Sequence, residues 1–258
     1  MTGADPYPED VSIGADHDDV GQVPDGHDDQ AGHHDLDAGD DTPPEGLGTL
    51  DATGTAAAPY GGDHVIGDPA AADRVWHQQA LSDTCAVVSQ GFALEELTGQ
   101  HHSEAELAQV AHDHGWYVHG GGHGGTPLSC VGNLLGYYGV PTHRDYHANP
   151  AELHDALAHG DKCIVAVSAE DIWTHQHGLD TPLSEFPGVP GQHADHAVEV
   201  TGIDENDPAH PVVILNDPGT PDGAGERVPM DTFLEAWQAS GNFLVTAGPG
   251  ITSTEVTA

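Results

Sequence analysis

Large apolar side chains are sparse up to residue 70 and recur regularly from Val75 onward, first at helical and later at strand spacing. The stretch Asp83 to Gly99, DTCAVVSQGFALEELTG, sets Val87, Val88, Ala93, Leu94 and Leu97 at helical intervals. Asp83 can cap its start and Gly99 can end it. Ser103-Glu104-Ala105-Glu106 has the form of a capping box and opens a second helix running to Gly115. The run GGGHGG, from Gly120 to Gly125, interrupts the pattern. It follows no strand and lacks the Lys of a phosphate-binding loop, so it reads as a flexible connection near a substrate groove. Thr126-Pro127 then offers a cap and a first-turn proline for a third helix, TPLSCVGNLLGYYG, and Asn149-Pro150 does the same for AELHDALAHG.

The period changes after residue 160. Lys162 to Ser168, KCIVAVS, is the β-branched run of a buried strand. Asp195 to Ile203, DHAVEVTGI, alternates as a strand. Pro211 to Leu215 and Asn242 to Ala247 predict two more, with an amphipathic helix from Met230 to Ser240 between them. Helices first and strands later make an α+β pattern rather than alternating βαβ units.

Composition sharpens the domain boundaries. Residues 1–70 hold 17 of the 43 acidic residues and no Lys or Arg, amid Asp, Gly, Pro, Ala and His. Such a segment cannot bury enough apolar surface to offset its ordering entropy, so it is expected to be disordered. Residues 71–250 are expected to fold, and 251–258 to form a tail. A net charge of −39 excludes nucleic-acid backbone binding, which needs clustered cations, and docking on an anionic membrane surface. It fits solubility or salt adaptation, with a cationic partner for the acidic tail as the alternative. Three widely spaced cysteines, Cys85, Cys130 and Cys163, make no disulfide framework and point to a reducing compartment. The start, MTGADPYPED, has neither the basic nor the apolar region of a signal peptide. The expectation is a soluble cytoplasmic protein, with export by a route without such a signal left open.

Candidate chemistry gathers at four positions. Cys85 falls in the first turn of the first predicted helix, where unpaired N–H groups and the helix dipole favour a thiolate. Gln79, six residues earlier, is placed to offer an amide N–H to an oxyanion beside the sulfur. His196 opens the strand DHAVEVTGI, and Asp217 ends the next strand in LNDPG, where it could orient the imidazole. Pro218-Gly219 would turn the chain just after the acid. Asn216 and Gln78 are the substitutes for Asp217 and Gln79. Cys130 and Cys163 lie in apolar surroundings and read as core packing.

That order of Gln, Cys, His and Asp, with His196-Ala197-Val198 and Asp217-Pro218, resembles the bacteriocin-processing, double-glycine leader peptidases (family 39) of the papain-like superfamily and their stand-alone bacterial relatives. The resemblance spans roughly Val75 to Ala247. It implies a papain-like fold, a helical half packed on an antiparallel sheet, with Cys85 as nucleophile, His196 as base, Asp217 as its orienting acid and Gln79 as oxyanion donor. Two departures are Asp83-Thr84-Cys85-Ala86, where that family has Cys-Gly, and the lack of a fused transporter. Fold and thiol chemistry therefore carry over more safely than substrate.

The expected activity is hydrolysis of a peptide or amide bond in a peptide or protein substrate, with no cofactor and no metal. The alternatives are another thiol acyl transfer, such as deamidation or transpeptidation, and a non-catalytic binding module. His193 is the competitor of His196. With His119, His123, His175 and His177 it invites a metal reading, but the spacings form no closed ligand set.

Overall fold

The computed structural model of the protein describes residues 64–120, 124–177 and 194–248. The expectations for residues 1–63, half of the Gly-rich run (121–123) and 249–258 fall outside them. A seven-stranded antiparallel sheet has the order β2-β7-β3-β4-β5-β6, and β1 also pairs with β4. The strands are β1 (Val65–Gly67), β2 (Thr142–Asp145), β3 (Lys162–Val167), β4 (His196–Asp204), β5 (Val212–Asn216), β6 (Glu226–Pro229) and β7 (Leu244–Ala247). The helices are α1 (Pro69–Ala72), α2 (Cys85–Thr98), α3 (Glu104–Asp113), α4 (Asn133–Tyr137), α5 (Pro150–Ala158), α6 (Ala169–His177) and α7 (Met230–Gln238). This is the expected α+β architecture. Strand β1 lies inside the segment 1–70 that composition assigned to a disordered tail; its pairing with Gly202–Asp204 supplies the order.

Helices cover both faces of the sheet, which explains the uninterrupted apolar run in β3. Ile164 and Ala166 join α2, α3 and α4 in one hydrophobic cluster. Cys163, Val165 and Val167 join α5, α6 and α7 in the other. Helix α2 is wedged between sheet and α3 and is buried from Cys85 to Gln90 and again from Phe92 to Leu94. Gly91 lets α3 approach closely, since a Cβ there would stand 2.8 Å from Leu107 Cδ1. Ser89 Oγ donates to the Ala197 carbonyl at 3.1 Å and so pins α2 onto β4.

Several local expectations hold. Gly99 ends α2 in the left-handed conformation, and capping boxes start α3 at Ser103 and α5 at Asn149. Others are corrected. Asp83 does not cap α2; the cap position is Thr84, without a side-chain cap bond. The single third helix is in fact a 3₁₀ turn, Leu128–Cys130, and then α4, with Gly132 at φ 95° between them. Gln90 causes the break: its Oε1 accepts the Gly132 and Leu134 N–H groups at 2.7 and 3.2 Å, capping α4 from α2. Cys130 is only partly buried, unlike Cys163. Among the described residues no helix is long and apolar enough to cross a membrane.

Candidate active site

Strand β4 begins at His196 beside the end of β5, and the chain leaves β5 through Asp217. His196 Nε2 and Asp217 Oδ1 lie 2.6 Å apart, and both residues are buried. With Nε2 engaged, Nδ1 is the ring nitrogen left free of Asp217, and Cys85 is among the groups whose charge bears on the imidazole. Cys85 is the first residue of α2, so its sulfur sits where helix N–H groups are unpaired. Burial alone would strip the proton from His196. The Asp217 carboxylate, its hydrogen bond and Cys85 outweigh that and hold the imidazole's proton affinity well above ordinary. Asp217 shows the mirror image: burial favours its neutral form, but His196, Trp173 and Gly219 keep it ionised below the usual carboxylate range.

Asp217 is held from every side. Trp173 Nε1, from α6, donates to Oδ2 at 2.9 Å, and the Gly219 N–H donates to Oδ1 at 2.6 Å. Its backbone N–H donates to the Gly223 carbonyl at 2.8 Å, and its own carbonyl accepts Trp76 Nε1 at 2.8 Å. The Gln79 N–H donates to the Pro218 carbonyl at 2.9 Å, tying the segment ahead of Cys85 to the same turn. The Trp173 ring lies 5.2 Å from that of His196.

Gln79 stands on this strap, with its Nε2 donating to the Leu81 carbonyl at 2.7 Å. Gln78 is exposed. Asn216 does not face the imidazole; its amide donates to the Ala72 carbonyl at 3.0 Å on the opposite side of the strand. Asp83 takes a different part from the cap expected of it. Its carboxylate accepts Tyr117 Oη at 2.7 Å and the Gly120 N–H at 2.9 Å, anchoring the start of the Gly-rich run next to Cys85 in sequence. Among the described residues no group of three or more His, Cys, Asp or Glu is arranged to hold a metal. His123 and His193 lie outside those residues, as do the side chains of His175 and His177.

Sequence reasoning missed Trp76, Trp173 and Glu226. The signal for Glu226 was available: in Glu226-Arg227-Val228 a carboxyl shares the inward face of a strand with a valine, and it is buried.

The Mycobacterium tuberculosis protein Rv1268c is 36% identical over 203 residues, covering 70% of this chain and 83% of that protein. Mb1299c of Mycobacterium bovis matches to the same extent. The chain belongs to the Rv1268c family. No protein-family model matches it. Among solved structures, a Bacillus anthracis protein described as a C39-like peptidase superposes with a TM-score of 0.52 at 17% identity, covering 74% of this chain and 100% of that one. This member of the Rv1268c family thus has the C39-like, papain-like peptidase fold, in agreement with the resemblance drawn from Gln79, Cys85, His196 and Asp217.

Proposed function

We propose that this protein is a cysteine-dependent hydrolase of peptide or amide bonds. The observation that carries the reading is the buried His196–Asp217 pair, with Cys85 at the first position of α2 and among the groups that raise the proton affinity of the imidazole. Cys85 Sγ attacks the carbonyl carbon as a thiolate. The C–N bond breaks as the His196 proton passes to the leaving amine, leaving a thioester. His196 then takes a proton from water, whose oxygen attacks the thioester and releases the acid and the thiol. Gln79 is the proposed oxyanion donor: its amide has two N–H bonds, and Leu81 fixes the group through one of them. A substrate with a cationic segment suits the acidic chain. The cysteines are free, which suits a reducing compartment.

The test is competitive alkylation with limiting iodoacetamide on the folded protein, read by peptide mass spectrometry. Cys85 is expected to label well ahead of Cys130 and Cys163, and to lose that lead in His196→Ala. Burial pushes the Cys163 thiol strongly towards its neutral form, so it serves as the inert internal reference. Labelling of Cys85 no faster than that of Cys163 would overturn the reading.

A further inference from the structure

Behind the His196–Asp217 pair stands a carboxyl group that the reaction as written does not use. Glu226 lies on β6 directly opposite Leu215 in the antiparallel register. Asp217, two residues beyond Leu215, is therefore its diagonal neighbour on the same face. Glu226 is 6% exposed, and among the described residues neither of its carboxyl oxygens has a hydrogen-bond donor in reach. An ionised carboxylate is acceptor-only. Left in that place it would be a buried, unpaired charge beside a second carboxylate. Asp217 has already drawn His196, Gly219 and Trp173 to its two oxygens, and a carboxylate offers about four lone-pair sites. A donor from Glu226 completes the set.

We propose that Glu226 is a positioning residue, carried as a neutral carboxylic acid whose O–H donates to Asp217 and fixes that carboxylate behind His196. One proton serves both groups: it removes the buried charge from Glu226, occupies one of its two oxygens and gives Asp217 a further donor. Burial first, and then the Asp217 charge and their mutual hydrogen bond, push the Glu226 carboxyl up to about 8, against the opposing pull of His196. These are the charged groups that bear on it; Arg227, the next residue, reaches to Asp204. Above that range Glu226 ionises, a second negative charge joins Asp217, and the imidazolium holds its proton more tightly. Its part in catalysis rests on the reading of Cys85 and His196 as the reacting pair.

The experiment compares wild type with Glu226→Gln, whose amide keeps a permanent donor to Asp217, and Glu226→Leu, which has none. His196 ring nitrogen NMR signals are followed against pH, and the infrared carbonyl stretch of a protonated carboxylic acid is recorded at neutral pH. In the difference spectrum against Glu226→Gln, which cancels other buried carboxyls such as Glu199, wild type is expected to show an acid band, and it is expected to show an extra His196 inflection near pH 8. Glu226→Gln should lose that inflection and keep the Asp217–His196 hydrogen bond. Stability gives a third readout that needs no catalysis. A carboxyl raised in the folded state binds a proton that the unfolded chain has released, so wild type loses stability relative to Glu226→Gln as pH climbs from about 4.5 towards about 8. Absence of an acid band from that difference spectrum, together with identical His196 titrations in wild type and Glu226→Gln, would overturn the proposal. If Glu226→Leu fails to fold, the Gln variant still decides it. A Cys85 that is unreactive in wild type would instead overturn the hydrolase reading, with these spectra still reporting on Glu226.

Discussion

Gly219 offers a clean way to disturb the site without touching a reacting group. A Cβ added there would stand 2.8 Å from Trp173 Cζ2, 2.9 Å from His196 Cε1 and 3.1 Å from Asp217 Oδ1. Carbon atoms in ordinary contact are about 3.5–4.0 Å apart, so one or both rings must retreat by about 0.7 Å. Backbone strain is not at issue, because Gly219 is not among the glycines with positive φ. The retreat is constrained, since both rings are bonded to the same carboxylate. Overpacking of this kind costs about 1–3 kcal/mol of stability, and a misplacement near 1 Å in a reacting constellation costs about 10²-fold in rate. Gly219→Ala should therefore slow Cys85 alkylation, and turnover of any substrate found, by one to two orders of magnitude, with a modest fall in Tm. Gly136→Ala is the matched control: a Cβ there meets nothing within 4 Å. If Gly219→Ala alkylates at the wild-type rate, or if the control loses as much, the convergence on Asp217 does not govern reactivity.

Two further outcomes follow from the electrostatics. His196 has its proton affinity raised above the ordinary 6.5, so its contribution to stability is whole below that pH and fades as pH rises through the folded value. Asp217 is lowered from 3.8, so its contribution is whole above that pH and fades on acidification. The stability gap between wild type and a His196→Phe, Asp217→Leu double variant should thus have its largest pH-dependent part between about 4 and 6.5, as measured by urea melts across pH; a gap that grows on the alkaline side would contradict the pairing. At the other anchor, Asp83→Ala should cost about 1–3 kcal/mol through the stranded Tyr117 hydroxyl and Gly120 N–H. It should also bring the Tyr117 ionisation down in an ultraviolet titration, because burial and then the Asp83 hydrogen bond and charge hold it above 10.0.

The strongly periodic elements were legible from residue pattern alone. Strand β3 announced itself by β-branching, α3 by its capping box and α5 by its Asn149-Pro150 start, because those signals are local. Strand β2, with its polar Thr142-His143-Arg144-Asp145, has no such signal; it exists because β7 offers an edge to pair with. The broken third helix was hidden for the same reason, since Gln90 caps α4 across 42 positions. In the site, the spacing and order of Gln79, Cys85, His196 and Asp217 pointed to thiol chemistry, and the fold places His196 on Asp217. The shell that steadies them could not be read: Trp76 reaches Asp217 from 141 residues away. Asp83, in turn, is drawn off its helix end by a tyrosine beyond α3.

The turn from Asp217 to Gly223 has a consequence for the order of events during synthesis. It bonds to Trp76 and Gln79 near the start of the folded region, to Trp173 in the middle and to His196 at the head of β4. Cys85 leaves the ribosome long before any of its later partners. Domains form as units once their sequence is available, so a nascent chain presents that cysteine without an oriented imidazole. On the proposed hydrolase reading, the thiol acquires its base only when residue 223 and the strand beyond it have been added, and the unfinished polypeptide is kept from acting on itself or on its neighbours.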